Sequence, residues 1–249
     1  MNEKKWSLVL IAIGMMMIVI TMKYAKAEPN GANLSVLNSS RMNLSNMGAA
    51  VQAQAGNVTE LNIVGTSITK YWQGYFGNIT GTIMLGDANG KNLYQWALAS
   101  PRGEIYAARN GSGISWANVG CANSSQVENE DNFIGANPAE TIDSVNKTFS
   151  YTTHPSFAIA GRGINGCRSV SVNGTGNGDL FWEALLIDNG SQVAMYDDIL
   201  IYTGLIDADT VGFTGSSYDF QMIVGENGNG SEEFPNGNPT NYYFYVEIE

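Results

Sequence analysis

The chain has 249 residues, with 12 Lys and Arg against 23 Asp and Glu, a single His and two Cys. That length suits a leader followed by one β-domain or two small ones. A formal charge of −11 repels nucleic acid and anionic lipid, which excludes a nucleic-acid role and suits solubility and cation binding.

Lys4 and Lys5 precede thirteen uncharged residues, Leu8 to Ile20, and the stretch ends in Ala25-Lys26-Ala27. This is the pattern of a secretory signal cut after Ala27. The apolar run is short for a membrane span, which needs about 20 residues. An uncleaved anchor is the alternative. A pilin-type leader is disfavoured, because it is cut before the apolar run, usually after a small residue, and Lys4-Lys5-Trp6 offers none. Without residues 1–27 the chain carries 8 cations against 22 acids, a net charge of −14, and no membrane span.

Residues 28–56 read as a polar arm. They lack aromatics and are rich in Asn, Ser and Ala. Either they form a flexible stalk, or Ala49–Ala55 forms a short helix stopped by Gly56. The arm is also a candidate strand donor to a neighbouring subunit. From Asn57 onward, residues 57–249 are expected to form one β-sandwich domain. Val58, Leu61, Ile63, Val64 and Ile68 predict a first strand. Gly81–Leu85, a turn at Asn89-Gly90, and Lys91–Leu98 predict a hairpin with Tyr94, Trp96 and Leu98 on one face. Further strands are expected at Glu104–Ala108 and Ile114–Val119. The acidic stretch 122–148 reads as a long surface excursion. Strands then follow at Phe157–Ala160, Ser169–Val172, Leu180–Ile187, Val193–Tyr202, Tyr218–Val224 and Tyr242–Ile248, with glycine-rich turns at 173–178 and 225–241. Many short strands and almost no amphipathic helix predict an all-β fold: an antiparallel β-sandwich or jelly-roll.

Eleven N-x-[ST] sequons begin at Asn33, Asn38, Asn43, Asn57, Asn78, Asn110, Asn123, Asn146, Asn173, Asn189 and Asn229. With 27 Asn, and 35 Ser and Thr in 249 residues, chance gives about 4. The excess predicts an exported protein with N-glycans on surface loops. An oxidising exterior makes Cys121–Cys167 the expected disulfide.

Chemistry is sparse. His154 lies in a loop-like Thr-Thr-His-Pro and has no nucleophile motif beside it. Glu183, flanked by Phe181 and Trp182, would be a general acid if buried, although strand alternation can instead turn it to water. Glu104 has nothing in its spacing to nominate it as a second carboxylate. No catalytic constellation is supported, and the chain is not expected to be an enzyme. Asp207 and Asp209 are the first candidates for a structural calcium site, since their oxygens are two residues apart. Tyr71, Trp72 and Tyr75 are candidate sugar-stacking rings, against the plainer reading that they are core.

Three segments resemble archaeal secreted surface glycoproteins with β-rich heads: Ala55–Ile63, Tyr71–Gly81 and Gly103–Asn110. The first also resembles the start of archaeal pilin-like head domains. The resemblance implies an archaeal cell-surface setting and no reaction. The leading expectation is a secreted structural or adhesive glycoprotein that joins copies of itself, or other surface proteins, by strand addition. Either residues 28–56 or the edge of the last strand would make the contact. A carbohydrate-binding module on a stalk is the alternative.

Overall fold

A computed structural model describes residues 28–44, 47–172, 181–188, 200–227 and 239–248. The leader, the glycine-rich turn 173–178, the start of the strand expected from Val193, and the sequons at Asn173, Asn189 and Asn229 lie outside the described residues. Among the described residues, no helix is long and apolar enough to cross a membrane.

The first eight strands are β1 (Asn30–Gly31), β2 (Trp72–Gly77), β3 (Thr82–Gly86), β4 (Asn92–Ala97), β5 (Gly103–Ala108), β6 (Val119–Cys121), β7 (Phe157–Ile159) and β8 (Arg162–Ile164). They are followed by β9 (Ser169–Ser171), β10 (Trp182–Asp188), β11 (Leu200–Leu205), β12 (Thr210–Val211), β13 (Ser217–Tyr218), β14 (Phe220–Gly225) and β15 (Tyr243–Ile248). Two helices, α1 (Ser124–Ile134) and α2 (Val145–Thr148), lie between β6 and β7. Every strand pair is antiparallel.

The main sheet runs β1-β15-β5-β11-β10-β6, and β9 also pairs with β10. It is covered on both faces, which makes Leu180–Ile187 read as an almost unbroken apolar run. On one face Ile105, Ala107, Leu185, Ile187 and Tyr202 pack with Val127 and Ile134 of α1, Val145 of α2, Phe149, and Met222 and Val224 of β14. The β14–β2 ribbon lies on this side and completes an antiparallel β-sandwich. On the other face Tyr106, Ala108, Ala184, Leu186 and Ile201 meet Trp116 and the β7–β8 hairpin through Phe157, Ile159 and Ile164. Strand alternation sends successive residues to opposite cores.

One edge of β10 is shared by two half-length strands. Residues Trp182–Ala184 pair with β9, and Leu186–Asp188 pair with β6. Between them the Leu185 N–H donates to the Arg168 carbonyl at 2.9 Å, and the Leu185 carbonyl accepts from the Ala122 N–H at 3.1 Å. The Cys121–Cys167 disulfide joins these two half-strands at the point where they meet.

Four expectations are corrected. Residues 122–148 are not an irregular excursion: they hold both helices. Asn123 caps α1 by accepting from the Gln126 N–H, while the Gln126 side chain accepts from the Asn123 N–H. Gly135 ends the helix in the left-handed region at φ 78°. Residues 49–55 form no helix; Gly56, at φ 87°, sits in a turn instead. Residues 57–68 form no strand, because no neighbouring strand lies beside them to accept their hydrogen bonds. Ile114–Val119 is mostly a 3-10 turn at Trp116–Asn118, with the strand starting only at Val119.

Candidate assembly surface

The edge of the last strand is occupied by the chain's own arm. Asn30 pairs with Val246, Gly31 pairs with Tyr245, and the Ala32 N–H donates to the Phe244 carbonyl at 2.9 Å. The arm therefore begins as the outermost strand of its own sheet. It returns to the head at Thr69, whose hydroxyl donates to Asp143 Oδ2 at 2.6 Å, and at Tyr71, whose carbonyl accepts from the Glu226 N–H at 2.8 Å. Residues 33–68 are thus a loop rooted at both ends. Its described residues contain no helix or strand, and all are exposed except Ile68, which is half-buried.

This loop is apolar as well as polar. Val58, Ile63 and Val64 are more than 80% exposed, and Leu61 is 55% exposed. The β3–β4 hairpin has the same character. Its pairs Ile83↔Trp96 and Leu85↔Tyr94 put four apolar side chains on one face, each about half exposed. The Tyr94 and Trp96 rings meet edge-on at 4.8 Å. The turn is built as its sequence requires: Gly90 takes φ 76°, and the Asp87 carboxylate accepts from the Asn89 and Lys91 N–H groups. Those bonds hold Asp87 below the ordinary aspartate range. Of 24 large apolar side chains exposed among the described residues, 18 lie between Leu34 and Trp96. The exposed apolar side chains are therefore concentrated in one stretch of the sequence.

The expected sugar-stacking rings are turned toward the first core. Trp72 packs against Phe149 and Tyr202, at 5.9 and 6.4 Å between ring centroids, and its indole N–H donates to the Asp143 carbonyl at 2.6 Å. Tyr75 meets Phe244 edge-on at 5.0 Å, and Tyr71 is half-buried against the same core. Asp207 and Asp209 are both exposed. Asp219 organises this loop, its Oδ1 accepting from the Asp209 N–H and its Oδ2 from the Ile79 N–H. Among the described residues, no three His, Cys, Asp or Glu side chains come together as metal ligands.

His154 is half-buried; its Nε2 accepts from the Cys167 N–H at 3.0 Å, so it braces the disulfide loop. Glu183 faces inward, contrary to a solvent-facing reading, and Trp182 is the more exposed of the two. Glu183 Oε2 accepts from the Ile223 N–H of β14 at 2.9 Å, so the carboxyl stitches the ribbon to the main sheet. Glu183 Oε1 has no hydrogen-bond partner. Burial pushes this carboxyl well above the usual glutamate range, with the Ile223 bond opposing.

A raised carboxyl favours folding while it is neutral. The contribution is full below the unfolded value near 4.3 and is lost as pH climbs through the folded value. The Glu183→Gln variant keeps an acceptor for Ile223 and cannot ionise. It should match the parent in urea unfolding at pH 4 and exceed it in stability at pH 8. A difference that is constant between the two pH values would contradict a buried neutral carboxyl.

Glu104 was not singled out by spacing, yet it stands directly across the strands from Glu247. Both are 6% exposed, and the Tyr106 hydroxyl lies 3.5 Å from each. Burial and these two acids push the Tyr106 phenol far above its ordinary range. Glu104 also lines an open groove of about 870 Å³ together with Arg102, Ser156, Trp182 and Asp207. The groove offers an indole, a guanidinium, serine hydroxyls and carboxylates. Only long-range strand register brings Glu104 and Glu247 together, and no local sequence signal marks it.

No protein-family model, curated protein or solved structure matches this chain.

Proposed function

We propose that this chain is an N-glycosylated cell-exterior protein of the archaeal surface-glycoprotein kind that its segments resemble. It acts as a structural or adhesive subunit that joins copies of itself by strand addition. One observation carries the reading: among the described residues, three quarters of the exposed large apolar side chains fall in residues 34–96. Apolar surface gathered in this way is the mark of a contact region. The sequons support the sugar coat. Among the described acceptors, Asn33, Asn38, Asn43, Asn57, Asn78, Asn110 and Asn123 are exposed. Asn123 caps α1 through its oxygen alone, which leaves its amide nitrogen for a glycan. Asn146 is half-buried, and its amide donates to the Pro138 carbonyl.

Electron microscopy and glycopeptide mass spectrometry of the full chain from its producing cell test the reading together. Ordered polymers are expected, with glycans on the seven exposed acceptors and none on Asn146. Monodisperse, unglycosylated monomers would remove the proposal.

A further inference from the structure

We infer that the docking partner of the β3–β4 hairpin is the segment Val58–Ile68 of a second copy, added beside β4. The inference rests on the assembly reading above and names its two surfaces. The hairpin is a two-stranded sheet with a bare apolar face, an arrangement marginal in water by itself. The segment is rich in strand-forming residues and has no strand partner among the described residues. Each has what the other lacks. The period of two aligns Leu61 and Ile63 on one side of the segment, as Tyr94 and Trp96 are aligned on β4. Pairing along the edge of β4 carries the hairpin's apolar face onto Leu61 and Ile63, and main-chain hydrogen bonds supply the affinity.

Charge and glycan placement agree with this occupant. Glu60 is the only charge in residues 57–68. The hairpin's acid, Asp87, is engaged in its own turn, which leaves Lys91 to face Glu60. Residues 33–43 begin three sequons, whereas 58–77 and 79–109 begin none. The two surfaces can therefore close on each other without burying a glycan, and the first part of the loop cannot. The last strand is not the acceptor edge, since β1 covers it.

A second copy fits better than the same copy. Within one chain the segment, Ile68 apart, stays exposed and has no strand partner among the described residues, although only β2, a run of about 20 Å, separates its root at Thr69 from the hairpin's base at Gly81. Leu61 stands eight residues before Thr69, so it reaches about 27 Å from that root when the chain is drawn out, enough to meet a neighbour. One donor and one acceptor on each copy give a head-to-tail contact that propagates.

The test uses two variants of the full chain, Leu61→Asp/Ile63→Asp and Tyr94→Lys/Trp96→Lys, with folding checked by thermal unfolding. Each alone should be monomeric, since each has lost one surface. Mixed, they retain one intact donor and one intact acceptor, so sizing should show a one-to-one heterodimer and nothing longer. Polymers from either variant alone would overturn this pairing while leaving the assembly reading in place. Folded variants that stay monomeric when mixed, beside a polymerising parent, would also overturn it. A parent that never polymerises would remove both.

Discussion

Replacing Arg109 with alanine should destabilise the head by about 3–5 kcal/mol, read as a lower urea midpoint with an unchanged slope. The reason lies in what the arginine leaves behind. Glu130 is 2% exposed on the inner face of α1, and Arg109 grips it with both guanidinium nitrogens, at 2.7 Å for Nη2 to Oε2. The Tyr202 hydroxyl donates to the same carboxylate at 3.1 Å, and the guanidinium lies 3.9 Å from the centroid of the Phe133 ring. Alanine strips the only cation from a buried acid, which water cannot reach to compensate. A Glu130→Gln/Arg109→Met double variant should recover much of the loss, because both charges go together and the methionine fills the stem's volume. Equal losses in the single and double variants would place the energy in packing instead.

Removing the disulfide by Cys121→Ser/Cys167→Ser should cost about 4 kcal/mol by loop entropy, for a separation of 46 residues. The position sharpens the expectation. The bridge holds two short strands, β6 and β9, against one edge of β10, and neither is long enough to be held by its own ladder alone. Hydrogen exchange should show protection falling first at Gly120–Cys121 and Ser169–Ser171, with β11 still slow. Uniform loss across the sheet would mean that the bridge acts only on the unfolded chain.

The sequence announced those elements whose signals are local. Asn89-Gly90 marked the hairpin; alternating or continuous apolar residues marked β5, β10 and β15; the presence of just two cysteines in the sequence marked the bridge. It concealed what depends on distant partners. The inner face of α1 carries Glu130 and Asp131, which read as solvent residues until Arg109 and the N–H groups of Val145 and Asn146 are brought to them. The capping pair Asn123 and Gln126 was the available clue. Glu183 looked ambiguous because its donor, the Ile223 N–H, arrives from a strand 40 residues on. Trp72 and Tyr75 turn inward because β14 pairs with β2 and lays it over the first core. Asn30-Gly31 has no strand-forming tendency and pairs only because β15 offers an edge. Residues 57–68 are the converse: strong strand formers with no strand partner among the described residues.

The position of β1 has a mechanical consequence. It runs antiparallel to β15, so Glu28 and Ile248 leave the sheet at the same end. Tension between those two points opens the β1–β15 and β15–β5 rungs from the same end, one at a time, and β1 has the fewer rungs to lose. A pull on Glu28 alone would free Asn30 and Gly31 as slack while both cores stay shut.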